Sequence, residues 1–340
     1  MSELITAITS IAAEKRIKPT VLAVVGPTAS GKTALSVALA KRLDGEIISC
    51  DSMQIYKRMD IGTAKPTAEE MQGIPHYMID IAEPENEFSS ADFATLAAEH
   101  ISDISSRGKL PIICGGTGLY LDTLLRGDTG DGGGADPEYR AYMTALAAEK
   151  GADYVYSMLC EKDPESAEAI HPNNVKRVIR ALEVYHVTGR KKSELDRLSK
   201  QKESPYDACI IGIRYADRQK LYDRIDRRVD IMISEGLENE VRALDRDGIF
   251  EKSRTACQAI GYKEMLGFVR GEMPLDICVD ELKRATRRYA KRQMTWFGSH
   301  GNVRWIDADT PTDDGRDKTF EDIVNIAEKL FSEYGYCDII

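Results

Sequence analysis

The residues of this chain with the clearest chemical meaning form a glycine-rich loop near its amino-terminal end. The loop joins an apolar run over 21–25 to a helix-like stretch over 34–40. In that order, the backbone N–H groups of the loop and the N-terminus of the helix bind phosphate oxygens, while the lysine reaches the outer phosphates. The pattern therefore predicts a diphosphate or triphosphate site, in which the Thr33 hydroxyl can hold Mg²⁺. The predicted donor-binding residues are Gly26, Pro27, Thr28, Ala29, Ser30, Gly31, Lys32 and Thr33.

A carboxylate is predicted beside this phosphate site. Residues 45–49 form a second strand-like run, which ends in Cys50, Asp51 and Ser52. Ligands of parallel α/β sheets bind beyond the carboxyl ends of the strands, so Asp51 is expected at the edge that carries the phosphate loop. There it could accept a proton as a general base or help hold magnesium through water. The alternative is that Asp51 only caps a turn.

Strand-like runs alternate with helix-like stretches around these residues. The further runs cover 110–114, 209–214 and 303–306, and a helix is predicted over 91–107. Such alternation is typical of a parallel sheet with helices on both faces, and we predict an α/β, P-loop NTPase-like fold.

The pattern changes to helices only beyond the glycine-rich segment 127–134, which we predict to be a flexible loop. Helices are predicted over 137–150, 164–170 and 174–188, followed by a polar run over 190–203. We therefore predict three parts: the first part of the core at 1–127, an all-helical insertion domain at 128–204, and the continued core with basic C-terminal helices at 205–340.

Composition narrows the class of protein. The chain of 340 residues has a net charge of −10, and 42% of its residues are hydrophobic, which is enough for a large core. No window approaches the length of apolar sequence that crosses a membrane, and no signal-peptide pattern is seen, so we expect a cytoplasmic protein without membrane contact. The seven cysteines show no Cys-x-x-Cys pair, and the five histidines show no metal-ligand spacing. We interpret these histidines as structural or surface residues.

Two basic clusters stand out from this acidic background. A charged run is usually a solvated helix face. Two runs with Tyr289 and Trp296 interleaved instead favour a polyanionic partner. The first cluster spans 283–292, where Arg284, Arg288, Lys291 and Arg292 share one helix face, flanked by Lys283 and Arg287. The second contains Arg214, Arg218, Lys220, Arg224, Arg227 and Arg228.

These motifs together resemble the bacterial tRNA dimethylallyltransferases, also called tRNA isopentenyltransferases, of the IPP transferase family. The resemblance extends over almost the whole chain, and the union of the Pro-Thr-Ala phosphate loop with the Asp-Ser-x-Gln-Ile-Tyr block is highly specific. Besides the phosphate loop, the matching segments are 49–56, 59–66, 75–80, 115–120, 171–174, Arg177, 180–183, 224–225, 228–229, 236–237, 258–264 and 286–293.

The resemblance implies transfer of a dimethylallyl group from dimethylallyl diphosphate to the N6 amine of the tRNA adenosine 3′-adjacent to the anticodon, position 37. Diphosphate is released, Mg²⁺ is the implied cofactor, and no ATP is consumed. Asp51 would accept the amine proton. Lys32 and Arg228 would stabilise the leaving diphosphate, and Thr117 would contact the substrate where donor and base meet.

The resemblance also implies that the partner is a tRNA anticodon stem-loop, with the helical insertion over the loop and the basic helix on backbone phosphates. Lys176 stands where many relatives have Gln, and the Gly130–Gly134 segment replaces a tighter linker. We expect a monomer. The assigned tRNA-binding residues are Asp51, Ser52, Met53, Gln54, Arg140, Lys176, Arg177, Arg180, Arg284, Arg288, Lys291 and Arg292.

Two alternatives come from other classes of protein. A small-metabolite or nucleoside kinase shares the loop and the sheet, but it would not need two basic helices. A non-catalytic tRNA-binding module would not need Lys32, Thr33 and Asp51 together. Comparing dimethylallyl diphosphate with ATP as the ligand that stabilises the protein would separate the first alternative from the main prediction.

Overall fold

The computed structural model describes residues 18–127 and 134–336. The chain divides into two compact units, one formed by Met1–Asp122 with Tyr206–Ile340 and the other by Thr123–Pro205. The corresponding boundaries predicted from the sequence lie at 127/128 and 204/205. Most of the predicted flexible segment, residues 128–133, lies outside the described residues.

The first unit is built on a sheet in which every described strand pairing is parallel. The strand order is β3-β2-β4-β1-β5-β6. This sheet, flanked by helices, confirms the predicted α/β class. The strands are β1 (Thr20–Val25), β2 (Gly45–Cys50), β3 (His76–Tyr77), β4 (Leu110–Gly115), β5 (Asp207–Arg214) and β6 (Val303–Asp307).

Register brings three loops to the same level of the sheet. Val25 at the end of β1 and Cys50 at the end of β2 both pair with Gly115, the last residue of β4, which lies between them. The chain therefore leaves these strands at Gly26, Asp51 and Gly116 side by side. The strands are nearly continuous apolar runs because both faces of the sheet are covered.

Sixteen α-helices occur in the two described stretches of chain, and a π-helical turn follows at Ser332–Tyr336. The helices of the first half are α1 (Lys32–Arg42), α2 (Ala68–Met71), α3 (Ser90–Ser106), α4 (Gly118–Leu125), α5 (Pro137–Lys150), α6 (Ala152–Lys162), α7 (Pro164–Ala169) and α8 (Val175–Thr188). Those of the second half are α9 (Lys192–Gln201), α10 (Arg218–Ser234), α11 (Leu237–Arg246), α12 (Ile249–Lys252), α13 (Arg254–Gln258), α14 (Tyr262–Val269), α15 (Leu275–Gly298) and α16 (Phe320–Phe331).

Two large cores and a small cluster of Leu221, Ile225 and Ala290 stabilise the first unit. One lies between the sheet, α1 and α16, where Leu35, Ile112 and Val324 are fully or almost fully buried. The other is built around Tyr262, and it packs α10, α11, α14 and α15 against the chain after β2, including Ile55. Burial of large apolar side chains is the main source of stability here. The second core fixes α15 relative to the loop that follows Asp51.

The helical unit has its own core and its own buried carboxylate. Met143, Leu159 and Val178 pack α5, α6 and α8 together. Fully buried Asp163 accepts hydrogen bonds from the backbone and hydroxyl groups of Ser166 and Ser193, which joins α7 to α9. Three predicted helices match α5, α7 and α8 closely, whereas α6 was not predicted.

Of the helices in residues 18–127 and 134–336, none combines the length and the apolar character that crossing a bilayer requires.

Candidate active site

The phosphate loop has the geometry that its sequence predicts. Gly31 adopts a φ of 96°, in the left-handed region that favours glycine, and α1 begins at the next residue. The Lys32 ammonium donates a hydrogen bond to the Pro27 carbonyl oxygen, with an Nζ to O distance of 2.8 Å. The lysine is thus folded back over its own loop, at the N-terminus of a helix whose dipole favours an anion.

The buried position of Lys32 favours an anionic partner. The pKa of Lys32 is lowered to about 8, mainly by burial. The nearby Arg228 adds to this lowering, while Cys114 and Asp51 oppose it. A buried ammonium without a direct carboxylate contact is costly. A bound diphosphate would offset that cost.

A cavity opens beside the loop at the carboxyl ends of β1, β2 and β4. Cations and a carboxylate meet in its wall, since Lys32, Arg228 and Asp51 all line it. Its open space is about 600 Å³, part of it continuous with solvent. The other lining residues are Thr28, Thr33, Ile47, Ser49, Gln54, Thr63, Pro66, His76, Ile79, Cys114, Gly115, Gly116, Tyr289 and Gln293.

Asp51 is both a cap and a cavity residue. Its Oδ1 accepts a hydrogen bond from the Met53 backbone N–H at 2.9 Å, which is the turn-capping alternative. Within the described residues its Oδ2 has no hydrogen-bond partner, so one oxygen is held and the other is available. Thr117 lies on the adjacent loop, and its Oγ1 accepts a hydrogen bond from the Ser52 backbone N–H at 3.1 Å. The loops after β2 and β4 are therefore tied together.

The second basic run does not form one surface stripe. Arg228 points into the cavity, where burial lowers its pKa and a long hydrogen bond of 3.4 Å joins it to the Ala64 carbonyl oxygen. Arg224 lies over the phosphate loop, with its Nε donating to the Ala29 carbonyl oxygen at 2.8 Å. Arg214 pairs with Asp307 at 2.7 Å. Arg224 and Arg228 therefore lie at the phosphate loop and its cavity, while Arg218, Lys220 and Arg227 are exposed. Binding of a polyanion by the exposed residues stays a prediction.

The cavity wall over residues 60–66 is held by a carboxylate that the sequence analysis did not select. Glu240 of α11 accepts hydrogen bonds from the backbone N–H groups of Asp60, Ile61 and Gly62 at 2.8–3.1 Å. The Tyr262 hydroxyl donates to the same carboxylate at 2.6 Å.

Gln54 fastens this wall from the other side. Its amide donates to the carbonyl oxygens of Thr63 and Ala64, and its Oε1 accepts from the Ser49 hydroxyl. Gln54 was assigned to tRNA binding, and the structure gives it internal partners at the cavity. Met53 is partly buried against the Tyr262 core, and Ser52 donates its backbone N–H to Thr117.

Three further cavity residues were not assigned a role in the site. Tyr289 was interpreted as part of a nucleic-acid surface, but it lines the cavity, and burial raises the pKa of its hydroxyl. Gln293 contacts the phosphate loop directly through a hydrogen bond from the Thr28 N–H. His76 donates through Nδ1 to the Ile74 carbonyl oxygen, while its buried Nε2 has no hydrogen-bond partner among the described residues. Its place near the start of the matching segment 75–80 was the available signal.

The basic helix α15 presents the predicted stripe to solvent. Arg284, Arg288, Lys291 and Arg292 are all exposed. Arg284 pairs with Glu281 at 2.7 Å, whereas Arg288, Lys291 and Arg292 have no carboxylate partner in the part of the chain that the structure describes. The flanking cations face the other way, since Lys283 and Arg287 form ion pairs with Asp230 and Asp226 of α10. Trp296 packs against Gly118.

In the helical unit, the four assigned tRNA-binding residues differ in surroundings. Lys176 and Arg177 are exposed at the start of α8. Arg140 and Arg180 both form 2.7 Å ion pairs with the fully buried Glu183. Burial would raise the pKa of Glu183, but its hydrogen bonds from Arg180, the Asp136 N–H and Arg140 lower it. Each arginine thus has an internal partner and keeps about 40% of its side chain exposed (42% and 38%).

The donor set of the cavity fits magnesium bound mainly through a ligand's phosphate oxygens and water. Among residues 18–127 and 134–336, no cluster of three or more His, Cys, Asp or Glu side chains is arranged to hold a metal. Mg²⁺ retains several waters and needs few protein ligands. The Thr33 hydroxyl at the start of α1, with Asp51 in the same cavity, is sufficient for that mode.

Fold and site together define an α/β phosphate-loop protein in which the loop lysine, a buried arginine and a carboxylate line one cavity. Residues 54–300 match the family model described as IPP transferase. The chain is 52% identical over 295 residues to the tRNA dimethylallyltransferase of Bacillus cytotoxicus, covering 86% of this chain and 92% of that protein. It is 50% identical over 315 residues to the tRNA dimethylallyltransferase of Bacillus licheniformis, covering 93% and 99%.

Solved structures give the same result. The tRNA isopentenylpyrophosphate transferase of Bacillus halodurans aligns with a TM-score of 0.67 and 45% identity, over 94% of this chain and 99% of that chain. A eukaryotic dimethylallyltransferase acting on tRNA aligns with a TM-score of 0.76 and 32% identity, over 92% and 80%. This chain belongs to the IPP transferase family. The resemblance found in the sequence is thereby confirmed, and membership favours a prenyl transferase over the kinase alternative.

Proposed function

We propose that this protein transfers the dimethylallyl group of dimethylallyl diphosphate to the N6 amine of the adenosine 3′-adjacent to the anticodon of tRNA, at position 37, releasing diphosphate. One observation carries the proposal. Lys32 and Arg228, two cations whose pKa values are lowered by burial, line one cavity together with Asp51. Such a cavity suits an anionic leaving group next to a nucleophile that must lose a proton.

The chemistry follows from these groups. The N6 nitrogen forms a bond to C1 of the dimethylallyl group while the C1–O bond breaks, and the bonding pair leaves with the diphosphate. Lys32, Arg228 and the amides of the phosphate loop offset the charge that develops on that oxygen. The amine proton passes to Asp51, whose Oδ2 is available while Oδ1 is held by the Met53 N–H.

The loop residues divide into two groups under this proposal. Pro27 has no backbone N–H, and the Thr28 N–H donates to Gln293, so these two residues shape the loop. The Ser30 N–H donates to the Pro27 carbonyl oxygen at 3.3 Å. The amides of Ala29 and of residues 31–33, with the Lys32 ammonium, are left to bind the donor diphosphate. Mg²⁺ held at Thr33 would supply further charge compensation on the phosphates.

The tRNA side rests on the exposed cations. Arg288, Lys291 and Arg292 form a positive face on α15, and Lys176 and Arg177 form another at the start of α8 in the helical unit. An anticodon loop offers unpaired bases that can be flipped into a pocket, while its stem is bound through phosphates. We propose that the protein acts on this stem-loop as a cytoplasmic monomer.

Nucleoside analysis tests the proposal directly. Unmodified tRNA is incubated with the protein, Mg²⁺ and dimethylallyl diphosphate labelled in the allyl group, then digested to nucleosides. We expect the label in N6-dimethylallyladenosine from position 37, and a rate of labelling lower by about a hundredfold or more with Asp51→Ala. A parallel reaction with γ-labelled ATP serves as the kinase control. Label transferred from ATP, with none from dimethylallyl diphosphate, would refute the proposal.

A further inference from the structure

The buried amide of Gln293 joins the two loops that form the floor of the cavity. Gln293 lies on α15 and is 5% exposed. Its Oε1 accepts a hydrogen bond from the Thr28 N–H at 2.8 Å, and its Nε2 donates to the Gly116 carbonyl oxygen at 3.0 Å. One side chain therefore contacts both the phosphate loop after β1 and the loop after β4.

The fit around this amide is tight. A Cβ built on Gly116 would lie 2.0 Å from the Gln293 Nε2, a distance at which the amide would have to move. Glycine at 116 thus leaves the space that the Gln293 amide occupies. The Gly116 loop leads directly to Thr117, whose backbone N–H donates to the Cys50 carbonyl oxygen. A shift at Gly116 would consequently move Thr117 and the end of β2 together.

We propose that Gln293 is a positioning residue for prenyl transfer, which sets the phosphate loop against the Thr117 loop. The inference rests on the proposed function for its catalytic consequence. A neutral amide suits this position because it satisfies one donor and one acceptor without adding a charge that would compete for the donor diphosphate. Lys32 lies on the phosphate loop, and Asp51 lies on the loop after β2, which Thr117 holds through the Ser52 N–H. Loss of the alignment between these loops therefore lowers the rate, and a displacement of about 1 Å can cost about a hundredfold.

Two substitutions and one control test the inference. Gln293→Leu removes both hydrogen bonds, and Gln293→Glu retains the volume and the acceptor for the Thr28 N–H. Met294→Leu changes the next residue of the same helix without affecting an amide. With Gln293→Leu, we expect kcat for dimethylallyl transfer to fall by about 10- to 100-fold, while the Kd for tRNA stays within twofold of wild type. Met294→Leu should behave as wild type.

The pH dependence of the glutamate variant separates a positioning role from a merely structural one. A protonated carboxyl can donate to the Gly116 carbonyl oxygen and still accept from the Thr28 N–H, whereas the carboxylate cannot donate. The activity of Gln293→Glu relative to wild type should therefore rise as the pH falls through the pKa of that carboxyl. A ratio that is constant from pH 5.5 to 8.5, with kcat unchanged in Gln293→Leu, would overturn the inference.

A binding measurement distinguishes failure of the proposed function from failure of the role given to Gln293. Binding of inorganic diphosphate with Mg²⁺, measured by calorimetry, needs no reaction, and Gln293→Leu should weaken it at least fivefold while Met294→Leu does not. If wild type transferred no dimethylallyl group, the proposed function would fail and this measurement would still decide the role of Gln293. Equal diphosphate affinity in wild type and Gln293→Leu would contradict the positioning of the phosphate loop.

Discussion

Donor binding should depend on pH through Lys32. Burial lowers the pKa of this lysine to about 8 in the free protein. Only the ammonium form attracts the diphosphate, so affinity scales with the protonated fraction. That fraction falls from about nine tenths at pH 7 to about one tenth at pH 9, and the Kd for dimethylallyl diphosphate should rise about tenfold over this range. The Kd must rise with pH, because a lysine binds an anion better below its pKa than above it.

The assay is calorimetric titration with dimethylallyl diphosphate and Mg²⁺ from pH 6.5 to 9.5. Lys32→Arg is the matched control, since arginine keeps its charge throughout this range and any titration of the ligand affects both proteins equally. Each protein is compared with its own value at pH 7. We expect the ratio of wild-type to control Kd to bend near pH 8. A ratio that does not change between pH 7 and 9 would refute the role given to the ammonium group.

Three further predictions concern other parts of the protein. Asp51→Asn should lower the single-turnover rate of transfer by about a hundredfold or more and leave tRNA binding within a few-fold; an unchanged rate would reduce Asp51 to a turn cap. Replacing Arg288 and Arg292 by Gln removes two phosphate contacts, so the slope of log affinity for tRNA against log salt should fall by about 1.4 to 1.8, while donor affinity stays the same. An unchanged slope would place the tRNA footprint elsewhere on the protein. Glu183→Gln should lower the free energy of unfolding, measured in urea, by about 2 kcal/mol, because Arg180 loses a buried charged partner. A change below about 0.5 kcal/mol, which is typical of a surface substitution, would contradict a stabilising role for this ion pair.

The strands and the phosphate loop could be predicted because their signals are local. An apolar run such as 21–25 can be recognised from consecutive residues alone, and β1 extends only one residue beyond that run. Helix α6 was not predicted, since Gly151 interrupts the pattern; the structure shows Gly151 at a φ of 92°, ending α5 and starting α6 with a change of direction. Strand β3 has two residues, too few for any alternation to be recognised.

The walls of the site could not be predicted in the same way. The hydrogen bond between Thr28 and Gln293 joins residues 265 positions apart. Helical spacing shows that Gln293 and Arg292 project in different directions, but it does not show which direction meets the phosphate loop. The basic run over 214–228 was assigned to one surface for the same reason. Only the packing of α10 against α15 determines that Arg228 turns inward.

The Glu240 carboxylate has a consequence for the motion of the cavity wall. Residues 60–62 belong to no helix or strand, and such segments usually exchange their amide hydrogens with solvent quickly. Here each of the three N–H groups donates to Glu240, which is itself held by the buried Tyr262. These amides can be released only when α11 separates from the wall. Their hydrogen exchange should therefore be as slow as that of α11, and the wall opens together with the helix behind it rather than as an independent lid.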